Sequence, residues 1–489
     1  MSSLPKFVLL WTDVAVWFMA LGVLGYVLHV RRRPDLRQKW RRVFQDRGAM
    51  GSAVVLSACL LLTLLDSVHY RPVLPPVAGQ GGLVLQAGHV GQSSPTSEPV
   101  AYDVKTRSVL DALLWNLAAS REATYSRPLA SESFTKETVM VDGRTERRAP
   151  RLLHGGAHLK NPEAEAAADI LRRSLLGAGA GLLVSLALLG ALCAWVARRQ
   201  GRTVRAVAQA AWSGQGGLPW KVAALTFTAM AVLTGVCTAL SAGYHVLGTD
   251  QTGNDVLYQA LKSVRTAFVI GTLTTLTTLP LAVGLGIAAG YWRGWVDEAV
   301  QYLYTVLSSV PNVLLIAACV LMVQVFLDQH PELFETGAER ADLKLFLLCA
   351  VLGLTGWAGL CRLMRAETLK QRELDYVRAA HAFGVGHARI MWRHIFPNVA
   401  HLMLIVTVLE FSALILYEAV LSYVGVGVDP SMNSFGGMIN LARSEMSRDP
   451  LVWWSFAAAF GFMVTIVLAA NLLADGVQRA FDPRLHPRA

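Results

Sequence analysis

The sequence predicts an all-α polytopic membrane protein with about nine transmembrane helices and a small α+β extracytoplasmic domain. Three observations carry that prediction. Of 489 residues, 54% are hydrophobic and only 16% are charged, against roughly 25% charged in soluble proteins. Several runs are almost free of charge over about 18 residues or more, the length a helix needs to cross hydrocarbon. The net charge of +10 is gathered into short loops beside those runs, which is the positive-inside pattern, and no nucleic-acid motif accompanies it. The same composition excludes disordered, collagenous and disulfide-scaffold classes, and nucleic acid is not an expected partner.

The spans fall near 7–30, 49–68, 174–197, 221–241, 266–290, 303–327, 344–364, 401–425 and 452–475. The first holds its charge behind it, at Arg31-Arg32-Arg33, so it reads as an uncleaved helix with its N-terminus outside and not as a signal peptide. Residues 31–48 carry eight Lys or Arg against Asp35 and Asp46. Loop 198–220 carries Arg198, Arg199, Arg202 and Arg205 and no acid, and 365–399 is basic too. With nine spans these three loops share one side, assigned to the cytoplasm with the C-terminus. Loop 328–343, rich in Asp and Glu, falls on the other side. The chain then divides into 1–68, an N-terminal extension with two spans; 69–172, an extracytoplasmic domain; 173–220, a third span and cytoplasmic linker; and 221–489, a six-helix core.

Within 69–172, a Pro/Gly-rich opening precedes a helical pattern over Val104 to Leu117. The run Glu137 to Val141 followed by Asp142-Gly143 predicts a strand entering a hairpin, and 163–173 predicts a helix leading into span three. His154 and His158 stand four apart, but Gly155-Gly156 between them favours a loop over a metal-binding helix. The six cysteines lie in or beside apolar spans, none at metal-ligand spacing, and read as small core residues. No metal site is expected.

The informative segment is loop 365–399. Glu367 to Phe383 reads as a charged helix with small residues at Ala379 and Ala380, ended by Gly384, which supplies a positive φ. A second amphipathic helix near His387 to Ile395 stops at Pro397. Together they form a helix-turn-helix knob. The order Ala379-Ala380, Gly384, then His394-Ile395-Phe396-Pro397-Asn398 resembles the EAA loop of permease subunits of binding-protein-dependent ABC importers. It is most similar to the dipeptide, oligopeptide and nickel branch, with Arg378 where glutamate is usual. Gly248-Thr249-Asp250-Gln251-Thr252-Gly253-Asn254-Asp255-Val256 is similar to a second string of that branch. So is the C-terminal stretch through Trp453-Trp454, Asn471 to Gly476 and Asp482-Pro483-Arg484. The resemblance covers roughly 221–489.

The resemblance implies a bacterial inner-membrane permease subunit for di- or oligopeptides. Its implied partners are a second permease, two ATPase subunits beneath and a periplasmic substrate-binding protein outside, all within membrane lipid. Ala379, Ala380 and Gly384 would permit close contact with an ATPase; Asp375, Arg378 and Arg393 would be rim charges; Pro397 and Asn398 would fix the return to the membrane. ATP would be used by the partners, because this chain has no G-x-x-x-x-G-K-[ST] string to cradle phosphates. No cofactor and no catalytic residue is expected. Ionisable groups in hydrocarbon usually face a bundle interior or cavity, which makes Glu410 and Glu418 candidate pore-lining residues. Asn471 and Asp475 are weaker candidates, and Asp13 and Asp66 read as interfacial. Gly286 and Gly290 have the spacing of close helix packing, an expectation extended to Gly284. The alternatives are a permease for nickel or another small solute, a membrane scaffold or sensor, or a secondary transporter; only an importer needs a docking knob.

Overall fold

A computed structural model describes residues 5–73, 102–103, 105–141, 144–214, 217–334 and 336–481. The Asp142-Gly143 turn, most of the Pro/Gly-rich stretch and Asp482-Pro483-Arg484 lie outside the described residues. A short strand β1 (Lys6–Val8) leads into α1 (Trp11–Arg32), α2 (Pro34–Val43) and α3 (Arg47–Asp66). Next come β2 (His69–Arg71), β3 (Arg107–Ser108), α4 (Val109–Leu113), α5 (Trp115–Ala119) and the hairpin β4 (Glu137–Val141)–β5 (Arg144–Arg148). The helices then follow as α6 (Pro162–Gln200), α7 (Val204–Ser213), α8 (Trp220–Ser241), α9 (Val256–Trp292), α10 (Gly294–Ser309) and α11 (Asn312–Gln329). The last are α12 (Gly337–Gly356), α13 (Ala358–Arg372), α14 (Asp375–Ala382), α15 (His387–Ile390), α16 (Phe396–Val424), α17 (Phe435–Glu445) and α18 (Trp454–Phe481). Among the described residues, eight helices are long and apolar enough to cross a membrane, and the pair α12–α13, bent by 41°, adds a ninth if taken as one span.

The departures from the sequence pattern have local causes. The span near 303–327 is not continuous: α10 ends at Ser309 and α11 begins at Asn312. Pro311 holds the preceding residue out of the helical region, and Val310 is extended at φ −91°, ψ 134°. The helix expected from Val104 to Leu117 is two short ones, α4 and α5. Strand β1 pairs with β2, and β2 with β3, so the N-terminus is stitched into the domain between α3 and α6. The hairpin appears in the expected register, Glu137 opposite Arg148 and Val141 opposite Arg144. His154 and His158 lie in irregular chain.

Helix α9 is the axis of the bundle, touching α1, α3, α12, α13, α16 and α18. A Cβ on Gly286 would lie 2.6 Å from Met364 Cβ, and one on Gly290 2.6 Å from Thr368 Cβ. Only hydrogen in place of a side chain lets α9 and α13 approach that closely. Gly284 does not share this role, since nothing lies within 4 Å of its Cβ position. A second close crossing was not read from the sequence. Gly177 and Gly181 of α6 meet α8 so tightly that a Cβ on either would lie 2.4 Å from a backbone carbonyl oxygen, of Gly235 and Ala231 respectively.

Asp13 and Asp66 are not interfacial. They are 1% and 2% exposed, because α9 presents buried Arg265 and partly buried Lys262 to them. Arg265 Nη2 donates to Asp13 Oδ1 at 2.6 Å and to Thr12 Oγ1 at 2.8 Å, and lies 3.6 Å from Asp342 Oδ1 on α12. His69 Nδ1 lies 2.7 Å from Asp13 Oδ2. Lys262 Nζ donates to Asp66 Oδ1 and to Asp111 Oδ1, each at 2.8 Å. A buried charge persists where it is paired and hydrogen-bonded, so the extension supplies carboxylates that the core cations require.

Candidate functional site

The knob lies at the C-terminal end of α9, built by α13, α14 and α15. Its first arm is not one helix from Glu367 to Phe383. The chain breaks at Glu373-Leu374, where Leu374 is extended at φ −74°, ψ 144° and caps α14. Helix α14 ends in a Schellman turn: Val385 N–H donates to Ala380 O at 3.1 Å and Gly384 N–H to His381 O at 3.0 Å. Gly384 takes φ +72°, which glycine adopts without a Cβ penalty. Val385 and Ala380 belong to one apolar cluster, the contact that usually accompanies this turn.

The second arm does not stop at Pro397. After α15 the backbone widens into one π-turn, Met391–Ile395, in which Phe396 N–H reaches back to Met391 O. The helix then continues as α16 with Pro397 in its first turn. Proline in a regular helix interior would clash with the carbonyl four residues earlier. The widened turn, a common device for absorbing such an irregularity, keeps the knob continuous with its membrane helix.

The knob is held to the bundle by packing. Val377, Ala380, Ile390, Ile395 and Val399 are buried with Ile287, Ala289 and Tyr291 of α9 and Cys361 and Met364 of α13. Full burial of one such aliphatic side chain is worth about 1.5–3 kcal/mol, so detaching the knob costs several such contacts. Polar ties orient it. Tyr376 O–H donates to Gln371 Oε1 at 2.8 Å and accepts from Asn398 Nδ2 at 2.8 Å, joining the two arms. Asn398 Nδ2 also donates to His394 O at 2.8 Å. Tyr291 Oη lies 2.8 Å from His387 Nδ1, and Arg372 Nη1 donates to Tyr291 O at 2.6 Å. Glu373 accepts from Arg378 and from Arg293, both at 2.6 Å. The Arg378 hydrogen bond, with Arg293 beside it, holds the Glu373 carboxyl below its ordinary value.

Of the residues singled out from the sequence, Ala380 faces the core, whereas Asp375, Arg378, Ala379, Gly384, Arg393, Pro397 and Asn398 are exposed. Nothing lies within 4 Å of the Gly384 Cβ position. The tip also exposes two aromatics: Phe383 is 85% exposed and Trp392 69%. Beneath Trp392, an apolar cavity of about 690 Å³ opens between α9 and the second arm, lined in part by Pro280, Gly284, Trp292 and Phe396.

The two carboxylates of α16 separate. Glu418 does not line a path: it is 3% exposed, and accepts from Ser422 Oγ at 2.7 Å and from Gly436 N–H at 3.2 Å, at the start of α17. Glu410 is exposed in the middle of an apolar helix, with no hydrogen-bond partner among the described residues. Asn471 Oδ1 accepts from Ser412 Oγ at 2.6 Å, and Asp475 is exposed near the end of α18.

At the opposite end of α9, the Gly248 to Val256 string is a docking loop for the domain between α3 and α6. Asp250 Oδ1 accepts from the N–H groups of Thr252 at 2.8 Å and Asn254 at 2.9 Å. Asp255 caps α9 through Tyr258 N–H at 3.0 Å. Thr249 Oγ1 accepts from Ser126 N–H at 2.6 Å, and Thr249 O from Trp454 Nε1 at 2.9 Å. Gly253 holds φ +76°, and a Cβ there would lie 1.9 Å from Glu122 O. Glu122, which sequence reading missed, accepts from the N–H groups of Leu153, His154 and Gly155 at 2.9, 2.8 and 3.2 Å. His245 stands between Glu122 Oε1 at 3.3 Å and Asp255 Oδ2 at 2.8 Å. Burial opposes both charges, but hydrogen bonds from His245 and the three amides bring Glu122 down to about 2. The two carboxylates hold His245 up at about 9 against its own burial.

The family described as "Binding-protein-dependent transport system inner membrane component" matches residues 282–487, which hold the knob, α16 and α18. The oligopeptide transport system permease protein OppC of Mycobacterium tuberculosis is 30% identical over 239 residues, 49% of this chain and 76% of that protein. The OppC of Haemophilus influenzae is 29% identical over 242 residues, 50% of this chain and 71% of its own. The glutathione transport system permease protein GsiD of Pectobacterium atrosepticum is 30% identical over 241 residues, 49% of this chain and 73% of its own.

Proposed function

Because the chain belongs to the inner membrane components of binding-protein-dependent transport systems, we propose that it forms one half of a peptide pore and is driven through its knob by separate ATPase subunits. The observation that carries this reading is the knob itself. It is fixed to α9, α13 and α16 by a buried apolar cluster, yet it presents Phe383 and Trp392 to the outside. A rigid, outward-facing element of this kind transmits a rigid-body displacement that a flexible loop would absorb. The ATPases bind and hydrolyse ATP; this chain moves with them.

The placement follows from charge and from the two ends of the bundle. The knob, α2 and α7 stand on the cytoplasmic side with the basic loops, and the domain carrying α4, α5 and the β4–β5 hairpin stands outside, where a substrate-binding protein delivers. The peptide class is supported by relatives named for oligopeptide and glutathione. Exposed Glu410 lines the path between this chain and a second permease, its carboxylate suited to a peptide's ammonium group.

Affinity purification of the full chain from its native membrane in mild detergent, with mass spectrometry of the retained proteins, tests the assembly. Recovery of one or two P-loop ATPases and a second permease is expected. Recovery of the chain alone, even after gentle cross-linking, would overturn the reading in favour of a scaffold or a carrier that works without ATP.

A further inference from the structure

Two basic segments separated by about 160 residues of sequence (Arg37 to Arg202) converge on one side of the bundle. Helix α2 packs its Trp40 and Val43 against the end of α18, with Trp40 5.7 Å edge-on to Phe481, and turns Arg37, Lys39, Arg41 and Arg42 outward. Helix α6 ends in exposed Arg198 and Arg199, and α7 follows with exposed Arg202 just before it and Arg205 in its first turn. The chain leaving α7 returns to α2: a Cβ on Gly217 would lie 3.5 Å from Arg41 Nη2 and 3.7 Å from Gln45 Nε2. The nearby acids are Asp35, at the α2 N-terminus, and Asp46, which pairs with Arg479 at 2.9 Å. Among the described residues, Arg37, Arg42, Arg198, Arg202 and Arg205 meet no carboxylate.

Helix α7 adds an apolar contribution. Val207, Ala210 and Ala211 are half-buried toward α6 and α8, while Val204, Ala208 and Trp212 form an exposed stripe at i, i+4 and i+8. Trp212 is 59% exposed and lies 5.0 Å from Lys221 Nζ. Helix α6, against which α7 packs, carries exposed Leu188, Leu192 and Trp195 of its own. A short helix with an arginine-bearing face, an apolar stripe and tryptophan at the end of a membrane span lies in the plane of the interface.

We infer that α2 and α7 together form a binding site for anionic phospholipid headgroups, with phosphates on Arg198, Arg202, Arg205 and Arg37 and acyl chains on the Val204–Ala208–Trp212 stripe. Charge complementarity and the contact of α7 with α6, a membrane-span helix with exposed apolar residues, select lipid over an acidic protein. The site is separate from the knob, since α7 packs against α6 and α8 and α2 against α1 and α18. The inference rests on the membrane placement proposed above, but its readout is lipid retention and requires no transport.

The test uses the full chain in mixed micelles of phosphatidylglycerol and phosphatidylcholine, with bound lipid quantified by native mass spectrometry after graded delipidation. The unmodified chain is expected to keep phosphatidylglycerol preferentially and to lose it as salt rises. Each surface arginine contributes roughly fivefold to such binding, so R198Q/R202Q/R205Q is expected to weaken retention on the order of 100-fold. Trp212→Ala serves as a second variant that leaves the charge intact and weakens retention through the stripe. Equal retention of both lipids by the unmodified chain, or salt-independent retention, overturns the inference. So does displacement by inorganic phosphate at equal charge, which marks a soluble-anion site. Loss of ATPase subunits from the triple variant with lipid retention unchanged assigns the patch to protein and also overturns it.

Discussion

Glu122→Gln tests how the outer domain is held. The Glu122 carboxylate is 5% exposed and collects three backbone N–H groups and the His245 ring. Glutamine retains one acceptor oxygen and places an NH₂ where the other oxygen accepted, leaving at least one amide facing a donor. Glu122 lies at about 2 against an ordinary 4.5, which at 1.36 kcal/mol per unit corresponds to about 3 kcal/mol of clasp stability. The assay is hydrogen exchange at the Leu153, His154 and Gly155 amides of the full chain in nanodiscs, corrected for intrinsic rates. Protection is expected to fall on the order of 100-fold in the variant. The pH profile has a defined sign. The Glu122 contribution is complete above 4.5 and lost as pH falls through about 2, because its pKa is lowered. The His245 contribution is complete below 6.5 and lost as pH rises through about 9, because its pKa is raised. Corrected protection should therefore be greatest between pH 4.5 and 6.5 and decline toward pH 9. Unchanged protection in the variant, or a flat profile up to pH 10, would refute the clasp.

Gly384→Asp is expected to abolish peptide uptake while leaving membrane insertion and elution profile intact. Aspartate tolerates positive φ better than most residues, and the space around the Cβ position is open, so unimpaired uptake would sink the coupling role of the knob. Gly290→Val must push Thr368 and Arg365 away from α9, and a destabilisation of about 1–3 kcal/mol should appear as a lowered thermal midpoint in detergent. Arg265→Leu leaves Asp342 buried without its cation and Asp13 with His69 alone, and a loss of about 3–5 kcal/mol is expected. Partial recovery on adding Asp13→Asn, read by the same thermal assay, separates this charge effect from a packing defect.

The sequence was most legible where one local rule decides the outcome. Apolar length located the spans, apart from the run near 303–327 that breaks at Pro311, Gly384 marked the end of α14, and Gly286 with Gly290 marked a close helix crossing. It was less legible where tertiary contacts compete with a local rule. Pro397 looks like a stop signal because a regular helix cannot carry it, and only the π-turn before it lets α16 run on. Asp13 and Asp66 look interfacial because each stands near a span end, and their partners Arg265 and Lys262 are about 200 or more residues away in sequence. A signal for that network was nonetheless present. Two cations and three acids, Asp13, Asp66 and Asp342, all stand near the same ends of apolar spans, and such a surplus asks for pairing. Glu122 and His245 gave no comparable sign, since neither belongs to a periodic pattern.

The two ends of α9 explain why the extension and the knob belong to one device. At its start, Lys262 and Arg265 are gripped by carboxylates from α1, α3, α12 and the outer domain. At its finish, Tyr291 and Arg293 grip the knob. A displacement of the knob is thus delivered to a helix whose far end is held in buried ion pairs. Two breaks interrupt α9 and its neighbours between these ends. Pro280 removes one backbone hydrogen bond from α9, and α12–α13 bends by 41° at Gly356–Ala358. These breaks stand at similar depth: Gly353 packs on Thr277, and Val283 shares a buried cluster with Trp357 and Ala358. Above that layer the helices are tied by apolar packing as well as by salt bridges, and below it they are tied to the knob by aliphatic packing and by the Arg365–Asp297 pair. Gly284, with open space beside it, lies in that level on the wall of the apolar cavity.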